Sequence, residues 1–290
     1  MAILVERLAA SDYLPKTDLL YIDTLGLHEL YAKLAFRANL ILVGPKGVGK
    51  SLSVASFCGK HKVPVITFDC SEDIRRSQLI GMFTIRGNET PFILGPVTTA
   101  LEVANETGRC VLIFEELNTL SPQSQKILNP LTDWRCSIEV PEAKQVFQLR
   151  PGAQLWVVAT MNSSTYQGVY ALNEDLKSRF RMLPIDYPPI AEERKILETL
   201  LSEHKTKVAS TMLTQVLTLA KESRQGAIDY PLSTRDLVQL LEDIDNVGLA
   251  TALWILSGKF EGSDRTTILK RMAATFGIAE RLIQERHPKV

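Results

Sequence analysis

Neither sign of charge is in excess in this sequence: 33 Lys and Arg residues stand against 33 Asp and Glu. A balanced chain has no bulk field to draw it to nucleic acid or an anionic membrane, so only a local patch could serve such contacts. Cysteine is scarce and dispersed. Cys58, Cys70, Cys110 and Cys136 form no C-x-x-C pair, and His28, His61, His204 and His287 are equally scattered. A zinc site is therefore not indicated, and four separated thiols fit a reducing compartment. No apolar stretch approaches the ~20 residues of a membrane span. Residues 1–10 have neither the basic start nor the long apolar run of a secretory leader. A cytoplasmic protein with no membrane span is expected. The composition, 45% hydrophobic and 23% charged, can bury a core. At 290 residues the chain fits a main domain plus a smaller one.

The most informative stretch is residues 39–51, NLILVGPKGVGKS. An apolar strand (40–43) runs into a glycine-rich turn and then a helix. Gly44, Pro45, Lys46, Gly47, Val48, Gly49, Lys50 and Ser51 fit G-x-x-x-x-G-K-[ST]. Gly44, Gly47 and Gly49 can take positive φ and wrap the backbone closely round an anion. The N–H groups of such a loop, with the positive end of the following helix, suit a phosphate. The Lys50 amine would reach the terminal phosphates and the Ser51 hydroxyl would hold Mg²⁺. Leu52 completes the expected nucleotide-binding stretch.

Taken in order, residues 1–10 have helical apolar spacing, Pro15 breaks the chain, and residues 21–22 read as a short strand. A helix is expected over 28–37, bordering either the base of a nucleotide or simply the core. The nearly continuous apolar run at 63–68 predicts a strand buried on both faces of a parallel sheet. Those at 111–114 and 155–159 predict further buried strands, and 182–185 reads as the fifth strand. Residues 74–80 and 96–107 read as helices. Residues 81–95 and 137–149 read as β-hairpins. A single amphipathic helix is predicted over 121–134, with Ser121 as N-cap, and another over 172–181. Two acids, Glu115 and Glu116, end the 111–114 strand. There one could hold Mg²⁺ through its water shell and the other polarise an attacking water. Asn162 follows the 155–159 strand, and ligands of such sheets bind at the carboxyl ends of the strands. Pro184, Pro188 and Pro189 mark a boundary. Residues 1–188 are read as an α/β sheet domain and 189–290 as a helical domain. Leu237, Leu240, Leu241 and Ile244 give that second part an apolar stripe. Ser233 and Asp236 form a capping-box start to the same helix. Arg235 lies in its first turn, where a cation opposes the helix dipole and an anionic partner would explain it.

The order phosphate loop, FEELN, ATMN, LKSRF, STRDL resembles an AAA+ ATPase. Within that group it looks like the MoxR branch and its short CbbQ/NorQ-type members, over about residues 15–245. The resemblance implies a P-loop AAA+ domain with a parallel five-stranded sheet and inserted hairpins, followed by a small all-helical lid. It implies ATP and Mg²⁺ as ligands. Gly44, Lys50 and Ser51 take the Walker A positions. Glu115 and Glu116 take the Walker B positions, with Glu116 the water-activating acid. Asn162 would be the first sensor, Arg179 the arginine finger acting on a neighbouring subunit, and Arg235 the second sensor. The family usually has Asp where Glu115 stands, and Lys177 and Arg181 compete with Arg179 for the finger role. Members form rings, usually of six. They remodel or activate a protein client, often with a partner carrying a von Willebrand factor A domain. A nucleic-acid-dependent motor and a nucleotide-binding assembly switch with little turnover are the alternatives. The neutral charge argues against the first of these.

Overall fold

The computed structural model describes residues 5–16, 19–85, 87–162, 170–226 and 230–284. The chain divides into two compact units. One comprises Met1–Pro45 and Gly49–Ile185; the other comprises Lys46–Val48 and Asp186–Val290.

The elements of the first unit, in order, are β1 (Val5–Glu6), α1 (Leu27–Leu34), β2 (Asn39–Val43), α2 (Lys50–His61), β3 (Val65–Asp69), α3 (Arg76–Ile80), β4 (Gly81–Phe83), β5 (Phe92–Leu94), α4 (Pro96–Thr107), β6 (Arg109–Glu115), α5 (Pro122–Ile127), α6 (Asn129–Thr132), β7 (Ser137–Val140), β8 (Gln145–Gln148), β9 (Gln154–Met161), α7 (Glu174–Lys177) and β10 (Phe180–Pro184). Five of these strands form one parallel sheet in the order β10-β2-β9-β6-β3. All five apolar runs read from the sequence are its strands, but β3 is not buried on both faces as expected. It lies at one edge of the sheet with Thr67 and Asp69 exposed, and β10 at the other edge exposes Arg181 and Met182. Val111, Leu112, Ile113 and Phe114 of β6 are buried, as a central strand covered on both faces requires. The register sets Val43 beside Met161 and Asp69 beside Glu115. The carboxyl ends of β2, β3, β6 and β9 therefore share one edge of the sheet.

Both expected hairpins are present. β4 pairs antiparallel with β5, and β7 with β8. β1 adds to β5 in parallel, so the helical reading of residues 1–10 fails over its described part. Leu8 there is 63% exposed and so packs on no core. Residues 21–22 form no strand. The helix predicted over 121–134 is broken. Ser121 caps α5 through a bond from the Ser124 amide, but α5 stops at Ile127 and α6 restarts at Asn129. Pro130 has no amide hydrogen with which to continue the ladder. The helix predicted over 172–181 shrinks to α7, because Phe180 and Arg181 are drawn into extended pairing with Asn39 and Leu40. Residues 163–169, part of the family-like stretch, lie outside the described residues.

The four cysteines are free. Burial pushes the Cys58 thiol up to about 12 and, with Cys58 nearby, that of Cys110 up to about 12, so both are unreactive packing groups. Among the described residues no helix is long and apolar enough to cross a membrane.

In the second unit the described elements are helices: α8 (Ile190–Glu203), α9 (Ser210–Ser223), α10 (Thr234–Val247), α11 (Leu249–Ser257), α12 (Gly262–Phe276) and α13 (Glu280–Gln284). Its core gathers Leu197, Val216, Leu237, Leu240, Leu253 and Ile268. The capping box read from the sequence is formed: the Ser233 amide donates to Asp236 Oδ2 at 2.8 Å, and the Asp236 amide to Ser233 Oγ at 3.3 Å.

Candidate functional site

The phosphate-loop motif joins β2 to α2. Gly47 and Gly49 have φ of +74° and +83°, in the left-handed region that favours glycine. Gly44 is not in that region, and its reason is different. A Cβ there would lie 1.9 Å from the carbonyl oxygen of Ile185. The Ile185 amide donates to Val43 O at 2.7 Å and the Gly44 amide to Met161 O at 3.1 Å. The loop is thus seated on the ends of three strands. Within the second unit, a Cβ on Gly47 would lie 2.5 Å from Ser233 Cβ and Oγ.

Lys50 opens α2 and is buried at 8% exposure. Its ammonium donates to the carbonyls of Gly44 (2.9 Å) and Pro45 (2.7 Å) and to Asn162 Oδ1 (3.4 Å). The Asn162 amide donates in turn to Glu116 Oε1 at 2.9 Å. Lys50, Asn162 and Glu116, far apart in sequence, form one hydrogen-bonded chain at the carboxyl edge of the sheet.

The two acids are held by a residue that sequence reasoning did not single out. The buried Thr160 hydroxyl donates to Glu115 Oε2 at 2.6 Å and accepts from the Glu116 amide at 3.0 Å. Glu116 has φ +51° and ψ +48°, a costly backbone state for a side chain of this type. The Thr119 hydroxyl, donating to Glu116 O at 2.8 Å, helps to hold it. The only sequence signal was the position of Thr160 beside Asn162 at the end of β9. The Ser51 hydroxyl sits on the first turn of α2 and Leu52 is 39% exposed.

Arg179 is not brought to this cluster. It precedes β10 at the amino end of the sheet, where Phe180 pairs with Asn39. The five residues of β2 separate it from the loop, about 16 Å at strand spacing. Its carbonyl shares the Asn39 side-chain amide with Thr132 O, at 3.5 and 3.1 Å. Its Nε is buried with no hydrogen-bond partner among the described residues. Asp133 lies nearby. The Arg135 hydrogen bond holds that carboxyl below its ordinary value despite some burial, and Arg179 adds to the effect. Lys177 and Arg181 are exposed, Lys177 ending α7 and Arg181 lying in β10. Arg235 is exposed on the first turn of α10 in the second unit.

A buried lysine in a glycine-rich loop at a helix start, facing an acid pair and an amide at the carboxyl edge of a parallel sheet, defines a P-loop nucleotide-binding protein. Residues 39–180 match the AAA domain (dynein-related subfamily). An uncharacterized protein of Staphylococcus epidermidis is 30% identical over 231 residues, covering 75% of this chain and 82% of that protein. An uncharacterized protein of Staphylococcus aureus strain USA300 is 27% identical over 230 residues, covering 76% and 83%. Among solved structures, a mutant of RuvB from Thermotoga maritima overlays with a TM-score of 0.53 at 12% identity, covering 94% of this chain and 89% of RuvB. NtrX of Brucella abortus in complex with ADP overlays with a TM-score of 0.52 at 13% identity, covering 91% and 68%. The chain carries an AAA domain of the dynein-related subfamily and belongs to one family with the staphylococcal protein.

Proposed function

We propose that this chain is an ATP-hydrolysing, ring-forming AAA+ ATPase of the MoxR kind, built as a sheet domain over residues 1–188 and a helical lid over 189–290. It acts in a ring of six to remodel or activate a protein client, with a partner carrying a von Willebrand factor A domain. The observation that carries the hydrolytic reading is the chain Lys50–Asn162–Glu116, which sets a cation, an amide and a carboxylate at one strand edge.

The residues present fit nucleotide and metal. Gly47 and Gly49 open the loop to close backbone approach, and Lys50 supplies the charge for the β- and γ-phosphates. The stretch from Gly44 to Leu52 would hold the nucleotide. Ser51 and Glu115 offer the hard oxygen ligands that Mg²⁺ prefers. Among the described residues no cluster of three or more His, Cys, Asp or Glu could hold a metal, so phosphate and water oxygens would complete the coordination. Bound Mg²⁺ would neutralise charge on the phosphate oxygens. Glu116 takes the proton of the attacking water and Asn162 orients that water. Lys50 and Arg235 stabilise charge on the transferred phosphoryl group. Arg179, at the far end of β10, would serve a neighbouring subunit's nucleotide rather than its own.

The test is ATPase rate against protein concentration for wild type and Glu116→Gln. Specific activity that rises with concentration, and falls by about 10²-fold or more in the variant while ATP still binds, supports a hydrolytic site shared between subunits. Equal turnover in the variant overturns the assignment of Glu116. No turnover in the wild type overturns hydrolysis.

A further inference from the structure

The first turn of α10 is fastened from two sides. Glu193, fully buried on α8, takes a bidentate pair from Arg224 at 2.7 and 2.8 Å. It also accepts the Thr234 hydroxyl at 2.7 Å. Arg224 Nε donates to Leu232 O at 2.9 Å, and its guanidinium lies 3.8 Å from the centre of the Tyr187 ring. One carboxylate thus ties the start of α8, the end of α9 and the entry to α10.

On the other side Asp236 is buried. It accepts from the Lys259 ammonium, from the Ser233 amide and hydroxyl, and from the Tyr230 hydroxyl at 3.2 Å. Lys259 is fixed further by Gln239 Oε1 at 2.9 Å.

Between Thr234 and Asp236 stands Arg235, exposed and making no hydrogen bond or ion pair among the described residues. A cation in the first turn of a helix gains nothing from the dipole. A buried ion pair is seldom the most stabilising way to fill a core, since apolar side chains of similar volume often do as well. Such a pair does give direction: a bidentate Arg–carboxylate bond fixes angle as well as distance. Both networks end on the residues adjacent to Arg235 and leave its guanidinium unengaged.

Within the same unit, a Cβ on Gly47 would lie 3.7 Å from Arg235 Cβ. We propose that Glu193 with Arg224 and Thr234, and Asp236 with Lys259, form a two-sided clamp that holds the α10 entry so that Arg235 is presented to a phosphate bound by the loop residues 46–48. Glu193, Arg224, Thr234, Asp236 and Lys259 are positioning residues that act through Arg235. The proposal rests on the nucleotide-binding reading given above.

The test is a double-mutant cycle. Thr234→Val removes one bond of the clamp while keeping the side-chain shape, and Glu193→Asp withdraws the carboxylate by one methylene. Each is made with Arg235 and with Arg235→Ala. Thermal midpoint, affinity for a fluorescent ATP analogue and turnover are measured on the full chain. With Arg235 present, Thr234→Val is expected to lower turnover, or analogue affinity if the wild type does not turn over, by about tenfold. In the Arg235→Ala background it adds nothing. The same loss in both backgrounds, or no loss with Arg235 present, overturns the clamp. Lys50→Ala is the separate control. If it leaves analogue binding intact, the nucleotide reading fails and the clamp falls with it. If it abolishes binding while the cycle is additive, only the clamp fails.

Discussion

The Thr160 hydroxyl stands between Glu115 and Glu116, giving its proton to the first side chain and receiving the backbone amide of the second. One buried oxygen therefore sets both the direction of one carboxylate and the left-handed backbone that aims the other.

Replacing Thr160 by Val keeps the shape and removes both bonds. The Glu116 amide loses its acceptor, at a cost of about 1–3 kcal/mol in stability if it stays buried. Turnover is expected to fall by roughly ten- to a hundredfold, because the acid pair is no longer held. Nucleotide affinity, set mainly by the loop, should change much less. Parallel measurement of ATPase rate and analogue binding checks this, and an unchanged rate would exclude the role.

Gly44→Ala drives a methyl group into the Ile185 carbonyl oxygen. Either the end of β10 or the loop must move. A loss of about 1–3 kcal/mol is expected, seen as a Tm lowered by roughly 2–4 °C per kcal/mol, together with weakened nucleotide binding. A variant as stable and as tight-binding as wild type would show that the loop has slack here.

Arg179→Ala should leave nucleotide affinity near wild type and reduce turnover by about a thousandfold. The position of Arg179 at the opposite end of the strands from Lys50 makes a sharper expectation. Arg179→Ala and Glu116→Gln, each inactive alone, should recover activity when mixed, because an intact acid and an intact arginine then meet at shared interfaces. A mixture as inactive as its components would rule out action in trans.

Asp236 gives a pH dependence. Burial pushes its carboxyl up, but the Lys259 and Ser233 hydrogen bonds outweigh burial and hold it below the ordinary aspartate value. The folded value lies below the unfolded value of about 3.9. The stabilisation is therefore complete above about pH 4 and is lost as pH falls through the folded value. Thermal melts between pH 6 and 3 should show a steeper acid limb for wild type than for Asp236→Asn. Parallel limbs would contradict the assignment.

Much of this was legible from residue order. The aliphatic run at 111–114 marked a strand buried on both faces, and the glycine pattern after 40–43 announced the loop. The similar run at 63–68 gave the strand but not its place at the sheet edge, where Thr67 and Asp69 are exposed. The acid pair and Asn162 were readable because each follows a strand directly. What failed depended on competition. Residues 172–181 have helical spacing, yet pairing with β2 claims Phe180 and Arg181. Pro130 cuts the helix that its neighbours would continue. What was invisible depended on distance along the chain. Nothing local marks Glu193 as the acceptor for Arg224 and Thr234, since an acid in the first turn of a helix is ordinary. Strand order is equally silent, because each run reads the same wherever it lies in the sheet.

β10 has a mechanical consequence. One end begins at Phe180, directly after Arg179; the other ends at Pro184, whose neighbour Ile185 closes over Gly44. A strand stitched residue by residue to β2 has no play along its axis, so it behaves as a pushrod. A displacement of the Phe180 end is carried along paired backbone to the carbonyl that rests on Gly44, and a displacement of the loop is carried back the same way. The amino end of β10 and the phosphate loop are thereby joined by five residues of paired backbone.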